Sequence, residues 1–235
     1  MILDFDKTSD IFGQYGLKIN RDKYDKLDKY AQMLVEWNEK INLTAITDAE
    51  GITVKHFLDS ILVLKYVDMP DNSSYIDVGT GAGFPAVPMK IYNESLDCTL
   101  LDSLQKRLNF LSEVSDELHL SMKCVHSRAE DGGKNADLRE KFDFSVARAV
   151  APLPILCEFC LPYVKIGGKF IAMKGPNENY KDAYVACKTL GGEFSKVEMY
   201  ELPDGGKRQI IVIDKIKNTP CKYPRNAAQI KKNTL

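Results

Sequence analysis

The chain has no run of about 18 consecutive apolar residues, so nothing in it reads as a membrane-spanning helix. Its opening, MILDFDKTSD, alternates acids with apolar residues and lacks the basic-then-apolar order of a secretory leader, so the protein is expected to stay in the cytoplasm. Histidine is scarce. His56, His119 and His126 are the only three, none stands at metal-ligand spacing from another, and no metal is expected. Excess charge is lacking too: 32 Lys and Arg against 33 Asp and Glu leave a net charge of −1, so attraction for a polyanion has to come from local clustering. The six cysteines (Cys98, Cys124, Cys157, Cys160, Cys187, Cys221) are scattered through apolar segments, which suits reduced thiols in a core better than a disulfide framework. Cys157 and Cys160 in PILCEFCLPYV stand one helical step apart, with no second cysteine pair or nearby histidine to complete a zinc set.

What the chain does have is ordinary globular material, 235 residues at 44% hydrophobic and 28% charged, enough for one main α/β core. Its most telling stretch is SYIDVGTGAGFP, Ser74 to Pro85. A short apolar strand delivers the chain to a turn where Gly79, Gly81 and Gly83 permit positive φ and close approach of a ligand to bare backbone. A dinucleotide fingerprint wants glycine at the sixth position, which here is Phe84. A ligand with an adenosine and a charged amino-acid tail but no phosphate, S-adenosylmethionine, fits this loop better. The next apolar stretch, Leu96 to Leu101, ends at Asp102, nineteen positions beyond Gly83. That is close to the spacing of about 20 at which such folds place an acid on ribose hydroxyls. Asp102 is the expected ribose ligand, and a helix N-cap is its plainer alternative.

The periodicity divides the chain into a helical front and an alternating back. Apolar residues at helical spacing predict a helix within Leu27–Ile41 and another over His56–Val67, with a polar break at Pro70–Ser74. Seven strand-like segments follow: 75–78, 96–101, 122–126, 142–147, 169–174, 196–201 and 209–213. Alternating with helices they predict a doubly wound, mostly parallel sheet. Pro203-Asp204-Gly205-Gly206 reads as a hairpin turn that makes the last strand antiparallel, an ending typical of class I methyltransferases. The expected organisation is a helical extension over 1–70, the α/β domain over 71–216 and a basic tail over 217–235.

In such a sheet the ligand lies beyond the carboxyl ends of the strands. The residues there are Ala129 and Glu130 after the third strand, Arg148 after the fourth and Lys174 after the fifth. Glu130 and Lys174 read equally well as a helix cap and a surface charge. Arg148 interrupts an apolar strand end, where an unpaired guanidinium is costly, so a carboxylate or ligand partner is expected. From Lys215 to Leu235 stand six basic residues, Arg225 among them, and no acid. This is either a solvated tail or a phosphate-binding one.

DVGTGAGFP, LLDSLQKRLNFL, HSRAED, the ARA around Arg148, WNEKINLT and HFLDS together resemble the bacterial small-subunit ribosomal RNA guanine-N7 methyltransferases, the RsmG or GidB family. The similarity spans nearly the whole chain. WNEKINLT and HFLDS are its more specific parts, since other methyltransferases share only the glycine loop. The resemblance implies a Rossmann-like class I methyltransferase fold and transfer of a methyl group from S-adenosylmethionine to one guanine of 16S rRNA or the small subunit. It also implies that Gly79 and Phe84 line the cofactor pocket, Ala129 and Glu130 touch the adenine side, and Arg148 stands at the cofactor and target site. RNA contacts are expected from Lys174 and Arg225, no general base is expected, and the protein is expected to be a monomer. Family members often carry glycine where Ala86 stands and YPRKAG where this tail reads YPRNAAQIKKNTL. A small-molecule methyltransferase and a non-catalytic RNA-binding assembly factor are the alternatives from other functional classes.

Overall fold

The computed structural model describes residues 1–235. Seven strands, β1 (Ser74–Val78), β2 (Asp97–Asp102), β3 (Met122–His126), β4 (Phe142–Arg148), β5 (Val164–Lys174), β6 (Gly192–Glu201) and β7 (Lys207–Lys215), form one sheet in the order β3-β2-β1-β4-β5-β7-β6. The first five run parallel, and β7 lies antiparallel between β5 and β6. The hairpin turn closes with Gly205 at φ +78° and Leu202 N–H donating to Gly206 O at 3.0 Å. Because the chain runs from β1 outward to β3 and then returns to β4 on the other side of β1, a crevice opens beyond the carboxyl ends of β1 and β4.

The front helices are α1 (Phe5–Gly13) and α2 (Arg21–Asn38), each opened by a side-chain cap, Asp4 on Lys7 N–H and Asn20 on Lys23 N–H. Asn38 then turns the chain out of the helix by accepting from Leu43 N–H and Thr44 N–H at 2.8 and 2.9 Å. The second front helix begins before His56: α3 (Ala49–Gly51), capped by Asp48, runs through a π-helical stretch (Ile52–Leu58) into α4 (Asp59–Tyr66). Such wide turns are rare and gather at functional sites.

With α5 (Ala86–Tyr92) and α6 (Gln105–Glu117), these helices cover one face of the sheet in a core of 43 buried residues. Tyr30 and Phe57 of the front sit there among Tyr75, Leu100 and Phe110 of the sheet side, so the predicted boundary near residue 70 does not divide the core. The short α7 (Ala129–Gly132), α8 (Leu153–Cys160) and α9 (Tyr184–Thr189) cover the other face in a core of 22.

The basic tail is docked. Thr219, Tyr223 and Ile230 are buried, and α10 (Ala227–Lys232) starts with a capping box between Asn226 and Gln229. Arg225 clamps it by donating from Nε and Nη2 to the two oxygens of buried Glu158, at 2.9 and 2.6 Å. Lys215, counted with the tail in the sequence, is interior: it is 1% exposed and donates to Leu161 O, with Glu140 at 3.3 Å. Four tail cations, Lys217, Lys222, Lys231 and Lys232, face solvent.

Candidate functional site

The glycine turn sits at the crevice because β1 is short and ends under β2: Gly79 and Thr80 N–H both donate to Leu101 O. Gly79, Gly81 and Gly83 have φ of +76°, +61° and +99°, as the bare-backbone reading requires. They differ in what they face. A Cβ on Gly81 would meet nothing within 4 Å, whereas one on Gly83 would lie 2.7 Å from Tyr30 Oη and 2.8 Å from a Leu111 methyl. Gly83 therefore serves the packing of the loop onto α2 and α6, and it does not line the cavity.

That cavity encloses about 490 Å³ and is lined by Gly79, Gly81, Phe84, Asp102, Ala129, Glu130 and Arg148, seven of the eight residues expected at the cofactor. Asp102 is drawn into the loop itself. Its Oδ2 accepts from Gly81 N–H and its Oδ1 from Leu104 N–H, both at 2.9 Å, with Arg107 at 3.4 Å. The carboxylate thus braces the loop and the start of α6, and Leu104 holds the cap position. Glu130, in the first turn of α7, is buried yet borders the cavity. Beneath the loop, Asp77 accepts from Thr80 Oγ1 at 2.8 Å, and its second oxygen has no partner. Burial pushes this carboxyl up to about 7.

Arg148 has the carboxylate partner its position demands, on the front helices. Nη1 donates to Asp59 Oδ2 at 3.2 Å and to Lys55 O at 3.0 Å, and Nη2 lies 3.3 Å from His56 Nδ1. The guanidinium also sits 4.9 Å from the Phe84 ring centre, while His56 stacks on Phe84 at 4.3 Å. Arginine can only donate, so Nδ1 of His56 accepts and the ring proton is on Nε2, which donates to Thr44 Oγ1 at 2.9 Å. Burial, reinforced by Arg148, lowers His56 to about 4 and holds the ring neutral. The next residue, Ala149, has φ +55°, a left-handed conformation that a non-glycine residue rarely adopts.

Arg148, His56 and Ala149 also border a second cavity of about 400 Å³, lined further by Lys55, Asp59, Lys174, Glu178 and Arg208. Lys174 is at this cavity with its cation neutralised: it donates to Ala151 O at 2.7 Å and pairs with Glu178 at 2.9 Å, and its side chain is 8% exposed. The expected RNA contact from Arg225 meets the same obstacle, since Glu158 already holds it. Each cation is thus held in a structural pair, Arg225 with buried Glu158 and Lys174 with half-buried Glu178, and a cation so paired has less charge to offer a phosphate. His56, which the sequence marks only as lacking metal-ligand spacing, is thus a residue of both cavities. The available signal was the i, i+3 spacing of His56 and Asp59 in HFLDS, which puts both on one helix face, set against an Arg148 in need of a partner.

Comparison with solved structures supports the architecture. A precorrin-6y C5,15-methyltransferase from Geobacter metallireducens aligns at a TM-score of 0.52 with 13% identity, covering 74% of this chain and 91% of that one. The YcgJ protein from Bacillus subtilis aligns at 0.54 with 11% identity, covering 69% and 100%. Sequence relatives are far closer. Ribosomal RNA small subunit methyltransferase G of Clostridium perfringens (strain 13 / Type A) is 47% identical over 235 residues, covering 98% of both chains. The protein of the same name from Acetivibrio thermocellus is 48% identical over 224 residues, covering 94% of this chain and 92% of the other. Residues 23–211, from α2 to the middle of β7, match the family model GidB, rRNA small subunit methyltransferase G, and the chain belongs to that family of methyltransferases.

Proposed function

We propose that the chain transfers the methyl group of S-adenosylmethionine to N7 of a guanine in 16S ribosomal RNA, free or within the small subunit, in the cytoplasm. The observation that carries the reading is the shared wall: a nucleoside-sized cavity at the glycine turn meets a second, cation-rimmed cavity at Arg148, His56 and Ala149. The residues of the first cavity suit that cofactor. Gly79 and Gly81 leave backbone bare, Phe84 and Phe159 supply apolar surface, and Asp102 and Glu130 offer acceptors for ribose hydroxyls and an adenine amino group.

When bound there, S-adenosylmethionine supplies a methyl group on a sulfonium. Guanine N7 bears a lone pair and no proton, so the protein needs no general base, and none is free on the wall. The one lone pair of neutral His56 is occupied by Arg148. Arg148 is in turn fixed by Asp59 and Lys55, which leaves orientation as the main contribution of these side chains. The exposed tail cations Lys217, Lys222, Lys231 and Lys232, and Arg128 on the rim of the first cavity, have no ion-pair partner and can neutralise RNA phosphates.

The test is incubation with methyl-labelled S-adenosylmethionine and small subunits from cells lacking their own copy of this enzyme, followed by strand scission at 7-methylguanine. Label at a single guanine is expected. Label on another atom, or on metabolites and not RNA, refutes the reading.

A further inference from the structure

We propose that the second cavity seats the acceptor guanine and that Glu178 reads its N1–H and N2 amino donors. This rests on the methyl-transfer reading above. The cavity abuts the cofactor cavity through Arg148 and His56, so a base seated in it lies against the wall across which the methyl must pass. Ile46 and Met173 supply apolar surface for the base, and Lys55 and Arg208, 42% and 30% exposed and paired only loosely with Asp204 at 3.4 Å and Asp59 at 3.9 Å, add positive charge to the lining.

Two carboxylates line this cavity, and only one is open to it. Asp59 is 4% exposed at its side chain: Oδ2 takes Arg148, while Oδ1 accepts from Tyr200 Oη at 2.7 Å with Arg208 at 3.9 Å. It positions the arginine. Glu178 is 23% exposed and lines the cavity, with Oε1 accepting from Leu153 N–H at 2.7 Å and Oε2 paired with Lys174 at 2.9 Å. A carboxylate oxygen can accept two hydrogen bonds, so with one partner on each oxygen Glu178 retains acceptor capacity and offers no donor.

Guanine offers two adjacent donors on its Watson–Crick edge, N1–H and N2–H2, which a carboxylate accepts side by side. Adenine offers the lone pair of N1 there and is repelled. This pairing leaves N7, on the opposite edge, free to face the wall. In the transfer the C–N7 bond forms as the C–S bond breaks, and the positive charge moves from sulfur to the base with no proton lost. Donors on a base becoming cationic bond more strongly to a carboxylate, so the contact tightens as the methyl moves.

The experiment measures equilibrium binding of guanosine, inosine and adenosine 5′-monophosphates with S-adenosylhomocysteine saturating. In parallel it measures kcat/KM on small subunits carrying guanosine or inosine at the modified position. Inosine lacks only the N2 amino group. The wild-type protein is expected to prefer guanosine over inosine about tenfold in both assays, and Glu178→Gln to lose most of that preference while binding S-adenosylhomocysteine as before. Equal binding of guanosine and inosine monophosphates by the wild type overturns the proposal without any variant, as does a preference unchanged by Glu178→Gln. Absence of methyl transfer to guanosine-containing subunits, with the nucleotide preference intact, instead counts against the methyl-transfer reading.

Discussion

Replacing His56 by glutamine should remove a pH dependence of stability that the structure ties to one ring. Folded His56 is lowered to about 4 from an ordinary value near 6.5, because it is buried against Phe84 and its Nδ1 faces Arg148. A depressed histidine makes the native state bind fewer protons than the unfolded chain between those two values. The stability from keeping the ring neutral is therefore fully present above about pH 6.5 and is lost as the pH falls towards 4. At pH 5 the unfolded ring is almost wholly protonated and the folded one almost wholly neutral, a loss of about 2 kcal/mol relative to pH 8. Asp77 pulls the other way. Its carboxyl, raised to about 7 by burial, makes the native state bind more protons, so its contribution is full below about pH 4 and declines as the pH rises to 7. The wild-type curve alone thus mixes two opposed slopes, and the difference between wild type and His56→Gln isolates one. Urea unfolding at pH 5 and pH 8 should show the wild type losing about 2 kcal/mol more than the variant over that interval, or roughly 4–8 °C in melting temperature. With only three histidines, long-range nitrogen–proton NMR spectra should show one ring as the Nε2–H tautomer that stays neutral at pH 5. Equal pH dependence in the two proteins, or a His56 that titrates near 6.5, would refute the reasoning.

Asp77→Asn should flatten the opposite slope, so that its unfolding free energy falls less than the wild type's between pH 5 and pH 8 in the same urea titrations. Arg148→Met leaves the buried Asp59 carboxylate without its nearest cation, and should cost about 3 kcal/mol of stability while abolishing methyl transfer. Methyl transfer surviving in that variant would remove Arg148 from the site. Alanine at Gly83 drives a Cβ against Tyr30 and Leu111 and should cost about 3 kcal/mol, whereas alanine at Gly81 has room and should cost about 1 kcal/mol while weakening S-adenosylmethionine binding; calorimetry separates the two effects. Arg225→Ala leaves Glu158 unpaired in the interior and should both destabilise the protein by about 3 kcal/mol and expose the tail to limited proteolysis.

The features legible in the sequence are those that a short segment enforces by itself. The glycines of DVGTGAGFP are required wherever a chain turns with positive φ under a ligand, and all three adopt it. The strand pattern was equally local: Met122–His126 falls where the apolar spacing puts it, and Pro203–Gly206 turns β6 back into an antiparallel β7. Element ends were less legible, because caps set them. Asn20 starts α2 and Asp48 starts α3 upstream of the apolar periodicity that marks each helix.

Charges were the least legible, since a lysine in a sequence does not reveal whether it will be desolvated or whom it will meet. Arg148 finds Asp59 from 89 positions away, and Arg225 finds Glu158 from 67. Lys174 and Lys215 turn inward as well, Lys174 to Ala151 O and to Glu178 four residues on, Lys215 to Leu161 O and the distant Glu140. By itself the sequence determined where backbone must be bare, where strands run and which family the chain resembles. The tertiary structure decided which ionisable groups face the cavities and which neutralise one another, because burial and pairing exist only once distant segments have met.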